Sequence, residues 1–220
     1  MTRRLRPVGL GFAEDAPTRL VFTARASAAP DAVYRALAEE VTGWPSWFRA
    51  VTLARPTRGG GGREVRLMGG VRFQETVMAA DPGLRYAYRV DETNVPGVRA
   101  LLEEWLLTPA DHSPGTAPGT ATTTGTPPAP GTATTTGTPP APGTATTTGT
   151  PAAPGTATTT GTPAAPGTAG TPGTLVRWTF AADGPPAFRL ALTAARPGLG
   201  HSFRTAVRTL DARLAARTRG

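Results

Sequence analysis

Few side chains in this 220-residue sequence could do chemistry. There is no cysteine, which removes disulfides, thiolate nucleophiles and cysteine metal sites. The two histidines, His112 and His201, stand far apart in the chain, so neither a metal site nor a cofactor is expected. Gly59 to Gly62 is followed by neither Lys-Ser/Thr nor a helical pattern, and it reads as a hairpin loop rather than a phosphate cradle. What remains is Glu75 and Glu103 with the phenols of Tyr86 and Tyr88. A buried carboxylate beside phenols could hold a ligand hydroxyl, or act as an acid or base with a raised pKa. The plainer and preferred reading leaves both glutamates at a pocket mouth, hydrated or paired with an arginine, because unpaired buried carboxylates are rare. For the tyrosines, core packing with the hydroxyl on a backbone group competes evenly with ligand contact. No residue set matches a catalytic motif.

Strands have to position these groups. Arg19 to Ser27 alternates apolar and polar residues and reads as a half-buried strand. Pro30 and Asp31 suit the first turn of a helix, and Gly43 to Phe48 allows one further helical turn. Five strands follow over Ala50–Arg55, Glu64–Met68, Val71–Met78, Leu84–Val90 and Val98–Thr108, with a last one over Thr174–Ala181. Their short connections imply antiparallel neighbours. Parity then turns Val71, Phe73, Glu75 and Val77 inward, with Leu84, Tyr86, Tyr88 and Val90, and Val176, Trp178 and Phe180. On the sixth strand the tryptophan face is taken as inner, because a large aromatic is costly to leave in water. That choice turns Glu103 and Trp105 inward, and a single bulge would exchange Glu103 for Glu104.

Asp183 to Pro197 reads as a connector, and Pro197-Gly198 opens a last helix with Leu199, Phe203, Ala206, Val207, Leu210 and Leu214 on one face. Arg204, Arg208 and Asp211 fall on its water side. The expected class is α+β: a seven-stranded curved antiparallel sheet wrapped around a long C-terminal helix, with two short helices after the first strand. One helix cannot fill the concave side of such a sheet, so a cavity is expected between them. Its ligand-binding set is Phe73, Glu75, Tyr86, Tyr88, Glu103, Trp105, Trp178 and Phe203.

Composition divides the chain. From Ser113 to Gly173 there is no charged residue, and a twelve-residue unit (PGTATTTGTPPA or PGTATTTGTPAA) recurs. The unit holds no Leu, Ile, Val or aromatic residue, so stacked copies would bury no core, and disorder is expected. The expected organisation is a flexible segment over 1–17, one domain from 18–112 plus 174–216, and the repeat 113–173 inserted between strands six and seven. The net charge of +8 comes from arginine, since there is no lysine. The arginines are scattered, which reads as a solvated face rather than a nucleic-acid interface. No apolar run approaches membrane-helix length, and a soluble, cytoplasmic bacterial protein is expected.

The element order and several phrases resemble the SRPBCC superfamily, which includes polyketide cyclases/dehydrases and lipid-transfer domains. The resemblance is carried by Ser27-Ala-Ala-Pro-Asp-Ala-Val33, Gly43-Trp-Pro-Ser-Trp47, Glu104-Trp-Leu-Leu-Thr-Pro109 and Gly173-Thr-Leu-Val-Arg-Trp178. It implies a helix-grip fold and the binding or transport of a small hydrophobic, polyketide- or lipid-like ligand. It also allows a polyketide aromatase/cyclase-dehydrase. A third reading, from the repeat, is a non-enzymatic interaction or regulatory module whose disordered arm recruits a partner.

Overall fold

A computed structural model describes residues 1–110 and 173–219. Its strands are β1 (Arg3–Arg4), β2 (Thr18–Ala26), β3 (Val51–Thr57), β4 (Gly62–Leu67), β5 (Arg72–Asp81), β6 (Arg85–Thr93), β7 (Ala100–Ala110) and β8 (Gly173–Asp183). The helices are α1 (Phe12–Asp15), α2 (Pro30–Tyr34) and α3 (Pro186–Arg219), with a π turn at Arg35–Glu39 and a 3₁₀ turn at Val41–Ser46 following α2. One antiparallel sheet runs in the order β2-β8-β7-β6-β5-β4-β3. The expected α+β helix-grip architecture is present, with one short strand added. The repeat, expected to be disordered, lies outside the described residues except for Gly173, which opens β8.

That added strand corrects the reading of residues 1–17 as flexible. Arg3 and Arg4 pair with Thr93 and Glu92 at the end of β6, beyond the point where β7 leaves it. Leu5 joins the main core, while Val8 and Ala13 cover Ala100 and Leu102 in a second, smaller cluster. Proline, glycine and short helical runs hide this packing from a search for long periodic segments.

The last helix is also longer than its sequence suggests. It begins at Pro186 and runs straight through Pro197. Phe188, Leu192, Ala195 and Leu199 continue at the spacing of Phe203, Ala206 and Leu210, so one apolar stripe spans the whole element. Asp211, expected in water, accepts hydrogen bonds from the Ser27 and Ala28 amides at 2.8 and 3.0 Å and so ties α3 to the entry of α2. Leu84, expected inward, is 61% exposed. It lies in the turn before β6, where Gly83 takes a φ of +68° that a β-carbon would disfavour.

The C-terminal half of α3 fills the concave face over β2, β7 and β8. Phe203 packs 5.7 Å from both Trp105 and Trp178, measured between ring centroids, and 6.2 Å from Phe22. Among the described residues no helix is long and apolar enough to cross a membrane.

Candidate ligand-binding cavity

Where the aromatic core ends, the N-terminal half of α3 spans a cavity of about 470 Å³. Phe188, Leu192, Ala195 and Leu199 roof it; Val65, Leu67, Phe73, Leu101 and Phe180 come from the sheet; Trp44 and Phe48 come from the segment after α2. The polar side chains in this wall are Arg63, Glu75, Tyr88, Glu103 and Ser202.

Strand register assembles them. Arg63 on β4 stands opposite Glu75 on β5, and Tyr88 on β6 stands opposite Glu103 on β7. Gly62 lets β4 approach closely beside Arg63, since a β-carbon there would lie 2.7 Å from the Glu75 carbonyl oxygen. Arg63 and Glu75 are enclosed and joined by a hydrogen bond from Nε to the carboxylate. The guanidinium carbon lies 3.6 Å from the Tyr88 ring centroid and 4.2 Å from that of Trp44, two cation–π contacts from rings set edge to face. A second network runs through Glu103, whose Oε2 accepts from Tyr88 Oη at 2.8 Å and from Trp178 Nε1 at 2.9 Å. The Tyr88 oxygen in turn accepts from Trp105 Nε1 at 3.1 Å.

Burial sets the protonation of these groups. It pushes Glu75 up to about 7 despite the opposing Arg63 charge. Burial also raises Glu103, against the bond from Tyr88 and the charge of Arg63. Tyr88 is held well above the usual phenol range by burial and by Glu103. Burial alone would lower Arg63, but Glu75 and the two phenols outweigh it, so Arg63 stays cationic. A raised carboxyl bonded to a phenol in an apolar cavity can hold a polar ligand atom or transfer a proton. Among the described residues no cluster of three or more His, Asp or Glu side chains could hold a metal ion.

The family described as polyketide cyclase/dehydrase and lipid transport matches residues 17–139, more than half of the chain. The chain belongs to this family, and with it to the SRPBCC superfamily. The match takes in β2 to β7, and solved structures extend the likeness over β8 and α3. Protein XoxI from Bacillus cereus is 10% identical, with 90% of this chain and 96% of that one covered and a TM-score of 0.52. A START superfamily protein from Mycobacterium smegmatis is 7% identical, with 90% and 97% covered and a TM-score of 0.50. A protein from Thermobifida fusca is 13% identical, with 90% and 93% covered and a TM-score of 0.50. Identities this low speak for the shared fold. No curated protein matches the chain.

Within this polyketide cyclase/dehydrase and lipid transport domain, the expected ligand set divides in two. Phe73, Glu75, Tyr88, Glu103 and Trp178 line the cavity. Tyr86, Trp105 and Phe203, expected in the same set, do not line it. Trp105 and Phe203 belong to the aromatic stack that fills the centre of the sheet, and Tyr86 packs beside Tyr88. Both glutamates of the sixth strand motif are buried, on opposite faces. Glu103 faces the cavity, whereas Glu104 pairs with Arg85 at 2.7 Å on the outer face. Glu75 is paired with an arginine, as the plainer reading expects, but it and Glu103 are buried in the wall and not set at a mouth.

Arg63 was missed by sequence reasoning. Starting β4 at Glu64 left it in the glycine loop, and a general reading of the arginines as solvated hid it further. Its signal is the alternation Arg63, Val65, Leu67, which shows once the strand begins at Gly62. The α3 roof is hidden in the sequence because Pro197 reads as a helix start.

Proposed function

We propose that this protein binds a small, mainly apolar molecule in the cavity under α3, for storage or transport. The observation that carries the proposal is an unfilled space of about 470 Å³ whose wall is aromatic and aliphatic but for a few clustered polar groups. That volume and lining are typical of small-molecule sites. The wall supplies burial for an apolar body, and the Arg63–Glu75 and Tyr88–Glu103 pairs supply orientation. A cytoplasmic location and a small-molecule rather than nucleic-acid partner go with this reading. Many arginines already face carboxylates, as with Arg55 and Arg66 on Glu64 and Arg217 on Glu40. Native mass spectrometry of the purified protein tests the proposal: a released organic molecule of a few hundred daltons is expected, and an apo protein that also refuses apolar probes would refute it.

A cyclase or dehydrase activity is the second reading, favoured by the Glu103–Tyr88 bond. A carboxyl with a raised pKa could shuttle a proton on a ligand held beside it. Loss of turnover in Glu103→Gln with ligand affinity retained would support that reading.

A further inference from the structure

The last helix is held unequally along its length. From Gly200 onward α3 buries Phe203, Ala206, Val207 and Leu210, whereas no residue from Pro186 to Leu199, the part that roofs the cavity, is fully buried. The change comes just after Pro197. Proline has no amide hydrogen, so the Thr193 carbonyl lacks the donor that a regular helix would give it there. Lids over ligand sites are drawn from weakly held elements of this kind.

The other end of the roof is seated by Phe188. A β-carbon on Gly97 would lie 3.1 Å from Phe188 Cβ, and one on Gly184 would collide with the Phe188 ring, so these two glycines form the seat. Gly97 belongs to the loop from Asn94 to Arg99 between β6 and β7, whose Val95 and Val98 line the cavity. Asn94 fastens one end of this loop to the Arg72 amide and the Gly70 carbonyl. The Arg99 amide fastens the other end to the Asp183 carbonyl. Between them, the carbonyls of Val95 and Val98 both accept from a single nitrogen, Arg3 Nη2, at 2.7 Å each. Bonds from a charged donor are stronger than those between neutral groups. Arg3 stands in β1 and does not line the cavity.

We infer, building on the binding function proposed above, that the N-terminal segment is a strap on the cavity: Arg3 holds the loop that seats Phe188, and so sets how often residues 186–196 open about Pro197–Gly198 to pass the ligand. Opening requires Phe188 to leave the two glycines, and their loop yields only as far as Arg3 allows. Because the strap lies outside the ligand space, it acts on entry and exit together. Affinity stays the same as long as the closed form predominates, since empty and occupied cavities open alike.

Stopped-flow exchange of N-phenyl-1-naphthylamine on the full chain tests this. Arg3→Ala is expected to raise the association and dissociation rates together by about five- to tenfold, the size expected for charge-assisted bonds partly open to water, with Kd within about twofold. Arg4 is the next residue of β1 and pairs with Glu92. Arg4→Ala removes the same charge from the same strand and should leave both rates unchanged. Pro197→Ala, which gives the Thr193 carbonyl its donor, should slow both rates by about threefold. Amide hydrogen exchange needs no ligand, and it should quicken over residues 186–196 in Arg3→Ala but not in Arg4→Ala. Unchanged rates in Arg3→Ala, the same acceleration in Arg4→Ala, a weaker Kd with an unchanged association rate, or a Pro197→Ala protein no slower than wild type would overturn the inference while leaving the cavity a binding site. A folded wild-type protein that binds no probe would instead overturn the binding function, and amide exchange would still decide the strap.

Discussion

Arg63 and Glu75 stand directly opposite each other on β4 and β5, each with only 1% of its side chain exposed, and the arginine is further stacked on Tyr88. Removing one member of such a pair strands the other in a medium that cannot solvate it. Arg63→Met should therefore cost about 3–5 kcal/mol at pH 8, and Arg63→Met with Glu75→Leu should restore most of that loss. Urea denaturation of the two variants measures both. An Arg63→Met protein as stable as wild type would mean that the pair is open to water.

Stability should also depend on pH through the same carboxyl. Glu75 titrates near 7 when folded and near its ordinary value of about 4.3 when unfolded. The folded protein thus binds the extra proton between those values, so its stabilising effect is complete below pH ~4 and is lost as pH rises through ~7. Glu103 is raised in the same direction and adds to the trend. Asp91 acts oppositely, because bonds from Thr76 and Arg89 outweigh its partial burial and lower its pKa, but its window lies below about pH 4. Unfolding free energy should fall by on the order of 1–3 kcal/mol from pH 5 to pH 7.5, and Glu75→Gln should flatten much of that slope. A wild-type profile that rises over this interval would contradict the assignment.

Much of the fold was legible because its strands alternate cleanly. The period-two pattern of Phe73 and Glu75, Tyr86 and Tyr88, and Trp178 and Phe180 identifies the inner face without reference to any partner. Register is different, since which inward residue meets which depends on turns and bulges such as the shifts between Gln74 and Glu75 and between Val77 and Ala79. Cavity residues therefore cannot be separated from core residues in the sequence, where Tyr86, Trp105 and Phe203 look the same as Tyr88 and Trp178. Arg63 was illegible for another reason. This buried arginine is held by a carboxylate on another strand and by the rings of Tyr88 and Trp44, none of which local composition reveals. Pro197 misled because proline usually ends or opens a helix, whereas here the apolar stripe continues across it.

The N-terminal packing has a measurable consequence. Deleting residues 1–16 would uncover Ala100 and Leu102 and remove Leu5 from the main core. A loss of about 2–4 kcal/mol is expected from the apolar surface exposed. A truncated protein with an unchanged denaturation midpoint would show that the segment contributes nothing.

Ala110 and Gly173 are register partners at the ends of β7 and β8. A two-residue turn can therefore close this hairpin without the intervening residues. Joining Ala110 to Gly173 through Asn-Gly should keep the melting temperature, or raise it by a few degrees as loop-closure entropy is returned. Loss of the cooperative transition would assign the insert a structural role.

An apolar space under α3 is the feature on which ligand binding depends. Titration of N-phenyl-1-naphthylamine, an uncharged fluorescent probe, should reveal one saturable site in the wild-type protein. Leu101, a lining residue on β7, can be enlarged into that space. Leu101→Trp should abolish probe binding while the fold persists, at a stability change within about 1–3 kcal/mol. Equal probe binding by the wild-type protein and a folded Leu101→Trp variant, or none by either, would contradict the account.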